Sequence, residues 1–427
     1  MSGGKTKAVT PRLRFPEFRD AGPWEVKRLG EIAEVVRGGS PRPISQFLTT
    51  DDDGFNWLKI GDIATESKYV LSTEEKIKKT GLSKTREVQP GDLILSNSMS
   101  FGRPYIMGIR ACIHDGWLAL TDLKSEWLSE YLYYFILSDL SQRYLHDAAA
   151  GGGVRNPNAD IVKLLPIATL LRAEEQQKIA NCLSSLDELI RAEASRLEAL
   201  QAHKKGLMQQ LFPREGETTP RLRFPEFRDA GAWEVKRLGK VCDILQGYGF
   251  PERFQGKQQG KYPFCKVSDI TNAVSNAGGH IKQAVNYVDD EDLKELRAKP
   301  IPKGATIFAK IGEALRLNKR AFVEAKCLID NNVVGIKARN SQATDYFVFY
   351  LSQKIDSNKH CGGAVPAVNK STLQSIKVVV PLIPEQQKIA DCLTSLDDLI
   401  RVQGERIETL KQHKKGLMQQ LFPQEIA

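Results

Sequence analysis

The sequence predicts an α+β molecule: two mixed α/β domains separated by two long helices that pair as an antiparallel coiled coil, with an internal pseudo-twofold repeat. Three observations predict it. First, the chain contains itself twice, because residues 11–30 (PRLRFPEFRDAGPWEVKRLG) return at 220–239 with only Pro23 changed, to Ala232. A second repeated pair closes each half, 175–213 (EQQKIANCLSSLDELIR…HKKGLMQQLFP) and 385–423 (EQQKIADCLTSLDDLIR…HKKGLMQQLFP). Second, the apolar residues of those closing segments recur every 3.5 residues. Third, the two middles, 32–174 and 241–384, share little sequence although their frames are nearly the same. A period of about 210 residues is far above the 20–50 of solenoids and propellers, so each half is large enough for its own core.

The long helices rest on the closing segments. Ile179, Leu183, Leu186, Ile190, Leu197, Leu200, Leu207 and Leu211 fall at alternating spacings of four and three, and Ile389, Leu393, Leu396, Ile400, Ile407, Leu410, Leu417 and Leu421 repeat the register. That period is a coiled-coil seam, interrupted at matched sites by the polar residues Glu193 and Lys204 in one copy and Gln403 and Lys414 in the other, which tend to fix register and partner number. Each helix is expected to run about 38 residues, roughly 55–60 Å. Pairing within the chain is expected over homodimerisation, because both seams lie on one chain. The domain layout expected is a first mixed α/β domain over 1–170, a first spacer helix over 171–213, a second mixed α/β domain over 214–380 and a second spacer helix over 381–427.

Both middles read as mixed α and β. Strands are expected at 55–60 and 92–96, a helix near 125–144 and a short apolar piece at 161–165; the second middle offers strands at 262–267, 305–311 and 333–337 and a helix near 344–355. The two align in outline: WLKIGDI at 57–63 with FCKVSDI at 264–270, Pro90-Gly91-Asp92 with Pro302-Lys303-Gly304, and the glycine-rich 151–154 with 362–365. They are expected to be one fold carrying two different surfaces. Trp24 and Trp233, in the identical frames, are read as anchors of each domain's first strand. His203-Lys204-Lys205 and His413-Lys414-Lys415 are read as a solubilising helix face, with phosphate or partner contact as the alternative.

Composition bounds the rest. The 427 residues are 41% hydrophobic and 26% charged, with a net charge of +9, so a polyanionic partner is favoured through counterion release. No run reaches the ~18 apolar residues of a membrane span, the basic N-terminus lacks the apolar core of a secretory signal, and seven cysteines without a CxxC pair fit a reducing cytoplasm.

Paired frames reading FPEF…W…V…LG, then a divergent domain, then EQQKIA..L…D.LI, resemble the specificity subunit of a type I restriction–modification system over nearly the whole chain. The resemblance implies two target recognition domains reading double-stranded DNA with a split, asymmetric target, and helices that dock two methyltransferase subunits. It further implies that restriction/translocase subunits join, that this chain has no catalysis or cofactor of its own, and that S-adenosylmethionine, ATP and Mg²⁺ sit on the partners. Two readers in the major groove on one face of B-DNA sit about 34–36 Å apart, or a multiple, so the paired helices are expected to act as a ruler.

Candidate DNA-binding residues are those on polar loops with base-reading capacity, since Arg suits guanine and Asn or Gln suits adenine. In the first middle they are Arg37, Ser40 and Arg42; Asn97, Ser98, Ser100 and Arg103; and Arg155, Asn156 and Asn158. In the second they are Tyr248 and Arg253, then Lys310, Glu313, Arg316, Asn318, Lys319 and Arg320. For any single one the plainer reading is a solvated loop or a phosphate contact.

No catalytic constellation stands out. Residues 256–261 (GKQQGK) miss the phosphate-loop spacing and its Ser/Thr, Asn156-Pro157-Asn158 lacks the aromatic residue of an adenine methyltransferase motif, and six scattered histidines have no metal-ligand spacing. A coiled-coil scaffold for acidic protein partners, and an enzyme acting alone on nucleic acid, are the rival readings.

Overall fold

The structure, a computed structural model, describes residues 9–64, 66–97, 102–150, 159–169, 172–276, 278–361 and 366–425. The chain forms two compact units, residues 1–191 with 408–427, and residues 192–407. The long helices Ala173–Leu211 and Ile383–Leu421 are 39 residues each, and the residues of each are divided between the units. Both start with carboxylates in the first turn (Glu174 and Glu175; Glu385), which complement the helix dipole. Both stop at Phe-Pro, where proline has no N–H to continue the ladder.

In the unit 192–407, Glu193 meets Gln403 and Lys204 meets Asp397, so the helices run antiparallel. All sixteen seam residues named above are buried or half-buried. The polar interruptions key the register. The Gln403 amide donates to Glu193 Oε2 at 2.6 Å and to the Glu193 carbonyl at 2.9 Å, and Arg406 Nε reaches Glu193 Oε1 at 2.8 Å. Asp397 takes the Tyr350 hydroxyl at 2.7 Å and the Lys204 ammonium, which lies 5.4 Å from the Tyr350 ring centre. In the other unit Asp187 takes the Tyr134 hydroxyl at 2.7 Å and Lys414, which stands 5.2 Å from the Tyr134 ring centre. The solubilising-face reading is therefore corrected: His203, Lys205, His413 and Lys415 are exposed, but Lys204 and Lys414 turn inward onto carboxylates.

The middles are one fold twice. Among the described residues the first has a five-stranded sheet in the order Glu34–Arg37, Trp117–Thr121, Leu93–Ser96, Pro104–Met107, Tyr69–Val70; the second has Cys242–Gln246, Val333–Ala338, Thr306–Ala309, Ala321–Val323, His280–Ile281. In both, only the last pair is parallel. Beside it lies a smaller sheet with Glu75–Ile77, Phe55–Leu58 and Ala111–Ile113 in one unit, and Asn286–Val288, Tyr262–Cys265 and Leu328–Ile329 in the other. Leu48–Thr49 and Arg86–Val88 extend the first of these. The large sheet is covered on both faces, so its central strands read as mostly apolar runs. Leu93 and Leu95 join one core with Tyr131, Ile179, Leu183 and Phe422, while Ile94 joins another with Tyr105, Met107 and Trp117. The equivalent core of the second unit holds Phe347, Ile389, Leu393 and Phe212.

Boundaries differ from the expectation in several places, among them the strands expected at 55–60 and 305–311, which are Phe55–Leu58 and Thr306–Ala309. The helix expected near 125–144 is two helices, Ser129–Ile136 and Asp139–Ala150. The apolar piece at 161–165 lies largely in helix Ala159–Lys163, and the strand Tyr262–Cys265 stops short because Val267 opens helix Val267–Asn276.

The repeated frame is bolted to the repeated helix start. Arg14 makes a two-pronged contact to Glu175 (Nε–Oε1 2.7 Å, Nη2–Oε2 2.9 Å) and donates to the Gly22 carbonyl, while the buried Trp24 indole N–H reaches Glu175 Oε2 at 3.3 Å. Arg223, Glu385, Gly231 and Trp233 repeat every contact. The next residue holds the divergent domain: Gln176 accepts from Leu128 N–H and donates to the Glu126 carbonyl, and Gln386 accepts from Thr344 N–H and donates to the Gln342 and Pro381 carbonyls. Removing one partner of a buried pair strands the other charge, at about 3–5 kcal/mol. We predict that Glu385→Ala destabilises the unit 192–407 by that amount in urea unfolding followed by hydrogen exchange, and that Arg223→Met in the same chain adds little more. Full additivity of the two losses would show that the residues do not act as a pair.

Candidate nucleic-acid interface

The predicted loops leave the large sheet at equivalent places. After strand Glu34–Arg37 the Gly39 N–H donates to the Ile113 carbonyl at 3.1 Å; after strand Cys242–Gln246 the Tyr248 N–H donates to the Ile329 carbonyl at 2.9 Å. The preceding glycines are required by close approach, since a Cβ on Gly38 would stand 2.2 Å from the His114 carbonyl oxygen and one on Gly247 1.9 Å from that of Asp330. The backbone path is thus shared and the side chains differ, as expected for one fold with two surfaces.

In the first loop, Asp115 gathers the candidates. Arg37 Nε donates to its carbonyl at 2.9 Å, the Ser40 hydroxyl to Oδ1 at 2.8 Å, and Arg42 Nη2 reaches Oδ2 at 3.4 Å. Burial works to raise the Asp115 carboxyl, but the Ser40 hydrogen bond and the charges of His114, Arg37 and Arg42 hold it below its ordinary value. Arg37 and Arg42 remain exposed, so the carboxylate orients two guanidiniums without withdrawing them from solvent. Sequence reasoning missed Asp115 and His114; the Asp-Gly turn at 115–116 was the only local mark.

The other candidates separate. Arg103 is half-buried, its guanidinium 5.8 Å from the Tyr105 ring centre. Asn97 is 3% exposed at the end of strand Leu93–Ser96, its N–H bound to the Gly116 carbonyl. Ser98, Ser100, Arg155, Asn156 and Asn158 lie outside the described residues. In the second domain Tyr248 is half-buried against the core around Phe264, and Arg253 pairs with Glu295 over the Phe254 ring. Glu313 and Arg316 form one exposed helical turn, 3.6 Å apart, and Lys310 and Lys319 are half-buried.

Arg320 and Asn318 bond to each other. Arg320 is 4% exposed, flat on the Phe308 ring at 4.1 Å, and donates to the Ser352 and Ile355 carbonyls, the Ser357 hydroxyl and Asn318 Oδ1. Asn318 stands at φ +52°, in the left-handed region asparagine tolerates, and its Oδ1 also takes the Ser357 N–H. These residues brace the loop from inside; Arg316 is its outward cation. Among the described residues no group of three or more His, Cys, Asp or Glu is placed to hold a metal ion, and no helix is long and apolar enough to cross a membrane.

Comparison with known proteins agrees with this doubled arrangement. The model of the type I restriction modification DNA specificity domain matches residues 22–202 and again 231–412. The putative type I restriction enzyme MjaX specificity subunit of Methanocaldococcus jannaschii is 27% identical, covering 93% of this chain and 92% of the relative. The MjaIX specificity subunit of the same organism is 25% identical over the same shares. The S subunit of a type I restriction–modification system from M. genitalium shares the fold, with TM-score 0.59 at 15% identity over 98% of this chain and 100% of that one. A chain from a type I R-M complex matches with TM-score 0.59 at 17% identity over 94% and 98%.

The two arginines of the second loop give a direct check on the geometry. We predict that Arg320→Met lowers the stability of the second domain by about 2–4 kcal/mol, because buried carbonyls lose their donor. Arg316→Met should shift it by no more than roughly 0.5 kcal/mol. Urea unfolding of the two variants tests this; equal sensitivity would overturn the inside–outside assignment.

Proposed function

The chain belongs to the type I restriction–modification DNA specificity family, and we propose that its two recognition domains read unlike halves of a split, asymmetric DNA target. It is the sequence-recognition subunit of such a complex, with DNA and the other restriction–modification subunits as its partners. The observation that carries the reading is the doubled fold: equivalent loops leave equivalent strands by the same backbone path, yet one presents Arg37-Gly38-Gly39-Ser40 and the other Gln246-Gly247-Tyr248-Gly249. Identical loops would read identical half-sites; different side chains on one path read different ones.

Within this reading the repeated helices and frames dock two methyltransferase subunits, one for each copy of the repeated surface, and restriction/translocase subunits join through them. Adenine methylation, cleavage and translocation belong to those partners, which carry S-adenosylmethionine, ATP and Mg²⁺. This chain supplies no catalytic group and works in the cytoplasm, where the DNA is. Exposed Arg37, Arg42 and Arg316 contribute base or phosphate contacts, and the salt dependence of binding follows their number.

Long-read sequencing of N6-methyladenine in cells expressing this chain with its methyltransferase subunit tests the reading. A split, asymmetric motif is expected, and it should vanish when this chain is omitted; methylation that persists without the chain would sink the proposal. The seam gives a second test. Inserting one heptad in register into both long helices should lengthen the unspecified gap while leaving both half-sites unchanged, and an unaltered gap in a folded insertion variant would show that the helices are not the ruler.

A further inference from the structure

In the first unit a lysine of the recognition domain is sealed against the long helix. Lys68 is 6% exposed and donates to the Ser184 hydroxyl at 2.8 Å. Its ammonium stands 4.8, 5.2 and 5.4 Å from the ring centres of Tyr134, Tyr69 and Tyr133, with Glu130 at 3.8 Å. Burial pulls this ammonium below the ordinary lysine range, against the attraction of Glu130 and Asp187.

Backbone hydrogen bonds fix the equivalent position in the second unit. Ile106 N–H donates to the Lys68 carbonyl and Gly108 N–H to that of Val70; Phe322 N–H donates to the Gly279 carbonyl and Glu324 N–H to that of Ile281. Tyr69 pairs with Ile106 and His280 with Phe322 in the same parallel register. Gly279 therefore stands where Lys68 does, and Glu324 stands where the first unit has Gly108. Some of the groups that face Lys68 are kept, Tyr350 for Tyr134, Thr394 for Ser184, Asp397 for Asp187 and Asp398 for Glu188, whereas Glu130 gives way to Tyr346, Tyr133 to Phe349 and Tyr69 to His280.

The second unit has lost the lysine, and its carboxylate has moved from the helix position of Glu130, now Tyr346, to the strand position of Glu324. In the lysine's place is a cavity of about 710 Å³ between helix Val267–Asn276, strand His280–Ile281 and the second long helix, with Asp269, Glu324, Asp397, Asp398 and Glu405 on its wall. Cations also line it: Arg401, which Asp398 and Glu405 engage at 3.6 and 2.8 Å, and the exposed Lys282. His280 Nδ1 lies 2.7 Å from Glu324 Oε1.

We propose that this cavity is a binding site for an alkylammonium group from outside the domain, which seats the second recognition domain on its helix as Lys68 seats the first. A primary ammonium suits it because three N–H donors match the Thr394 hydroxyl and the wall carboxylates, and the Tyr346 ring lies on the wall, while Lys204 already serves Asp397 and the Tyr350 ring. The same chemistry has two sources, a free amine or a lysine side chain of a partner subunit.

Hydrogen exchange of residues 267–281 and 390–405 in the purified full chain distinguishes the outcomes. With 1,4-diammoniobutane at constant ionic strength, opening should slow by about tenfold at roughly ten times the Kd. Tetramethylammonium, which has no N–H donor, should not reproduce it, and residues 66–72 should not respond. Asn272→Lys, on the cavity wall, should slow exchange without any amine, while Asp398→Asn with Glu405→Gln should abolish the response. The complex with the methyltransferase subunit assigns the source: protection present without amine identifies a partner lysine, and protection that needs the diamine identifies a free amine. Exchange unaffected both by the diamine and by assembly overturns the site, as does an equal effect of tetramethylammonium.

Discussion

Everything variable in this molecule hangs from a buried carboxylate at the start of each long helix. A charge removed from water is costly unless its lone pairs are fully engaged, and Glu175 and Glu385 meet that condition with a two-pronged arginine and an indole N–H apiece. The arginine spends a further donor on a frame carbonyl, of Gly22 or Gly231. Frame, strand entrance and helix N-terminus thereby become one rigid corner. The adjacent glutamine then holds the recognition domain, through backbone groups: Leu128 N–H and the Glu126 carbonyl in one unit, Thr344 N–H and the Gln342 carbonyl in the other. Contacts to backbone do not constrain side-chain identity. That is how nearly identical frames carry domains whose sequences have drifted apart. A tyrosine hydroxyl on the helix carboxylate, from Tyr134 or Tyr350, is a side-chain contact kept on both sides.

Such a corner frees the far end of each domain. The central strands are buried on both faces and their sequence is mostly apolar, but the loops after them answer only to local geometry. Gly38 and Gly247 preserve the path because any Cβ would strike a carbonyl on the neighbouring segment. Beyond that point the side chains diverge, and the physical requirements on fold and on recognition fall on different residues.

Much of this was legible in the sequence because it was written twice. The 3.5-residue seam named sixteen inward apolar positions of the two helices, and the verbatim frames marked what the two halves have in common. The roles within the frames were not legible: Arg14 and Glu175 are 161 residues apart, and nothing local says that a surface-type residue is buried against another so distant. The same limit misplaced Arg320. A run of basic residues in a loop reads as an exposed cationic surface, yet the Arg320 guanidinium lies over Phe308 and serves carbonyls at the C-terminal end of helix Asp345–Lys354. Lys204 and Lys414 departed in the same sense, because their carboxylate partners sit on the other helix. Periodicity reports which face a residue occupies, but a buried charge is defined by a partner, and partners come from tertiary structure.

The seam itself argues for pairing within one chain. Lys204 meets Asp397 and Lys414 meets Asp187, so each contact joins a residue to the copy of a different residue, and both repeats keep Lys and Asp unchanged. Glu193 and Gln403 are different: they are equivalent positions, and they meet each other. A residue that meets its own counterpart cannot be glutamate in both copies without bringing two carboxylates together at low exposure, where like charges repel strongly. Glutamine in both would leave Arg406 without its carboxylate. One of each lets the amide donate, the carboxylate accept and the arginine pair. A homodimer built in this register on the first helix alone would place Glu193 against Glu193, so the single departure from identity at this position makes the second helix of the same chain the better partner.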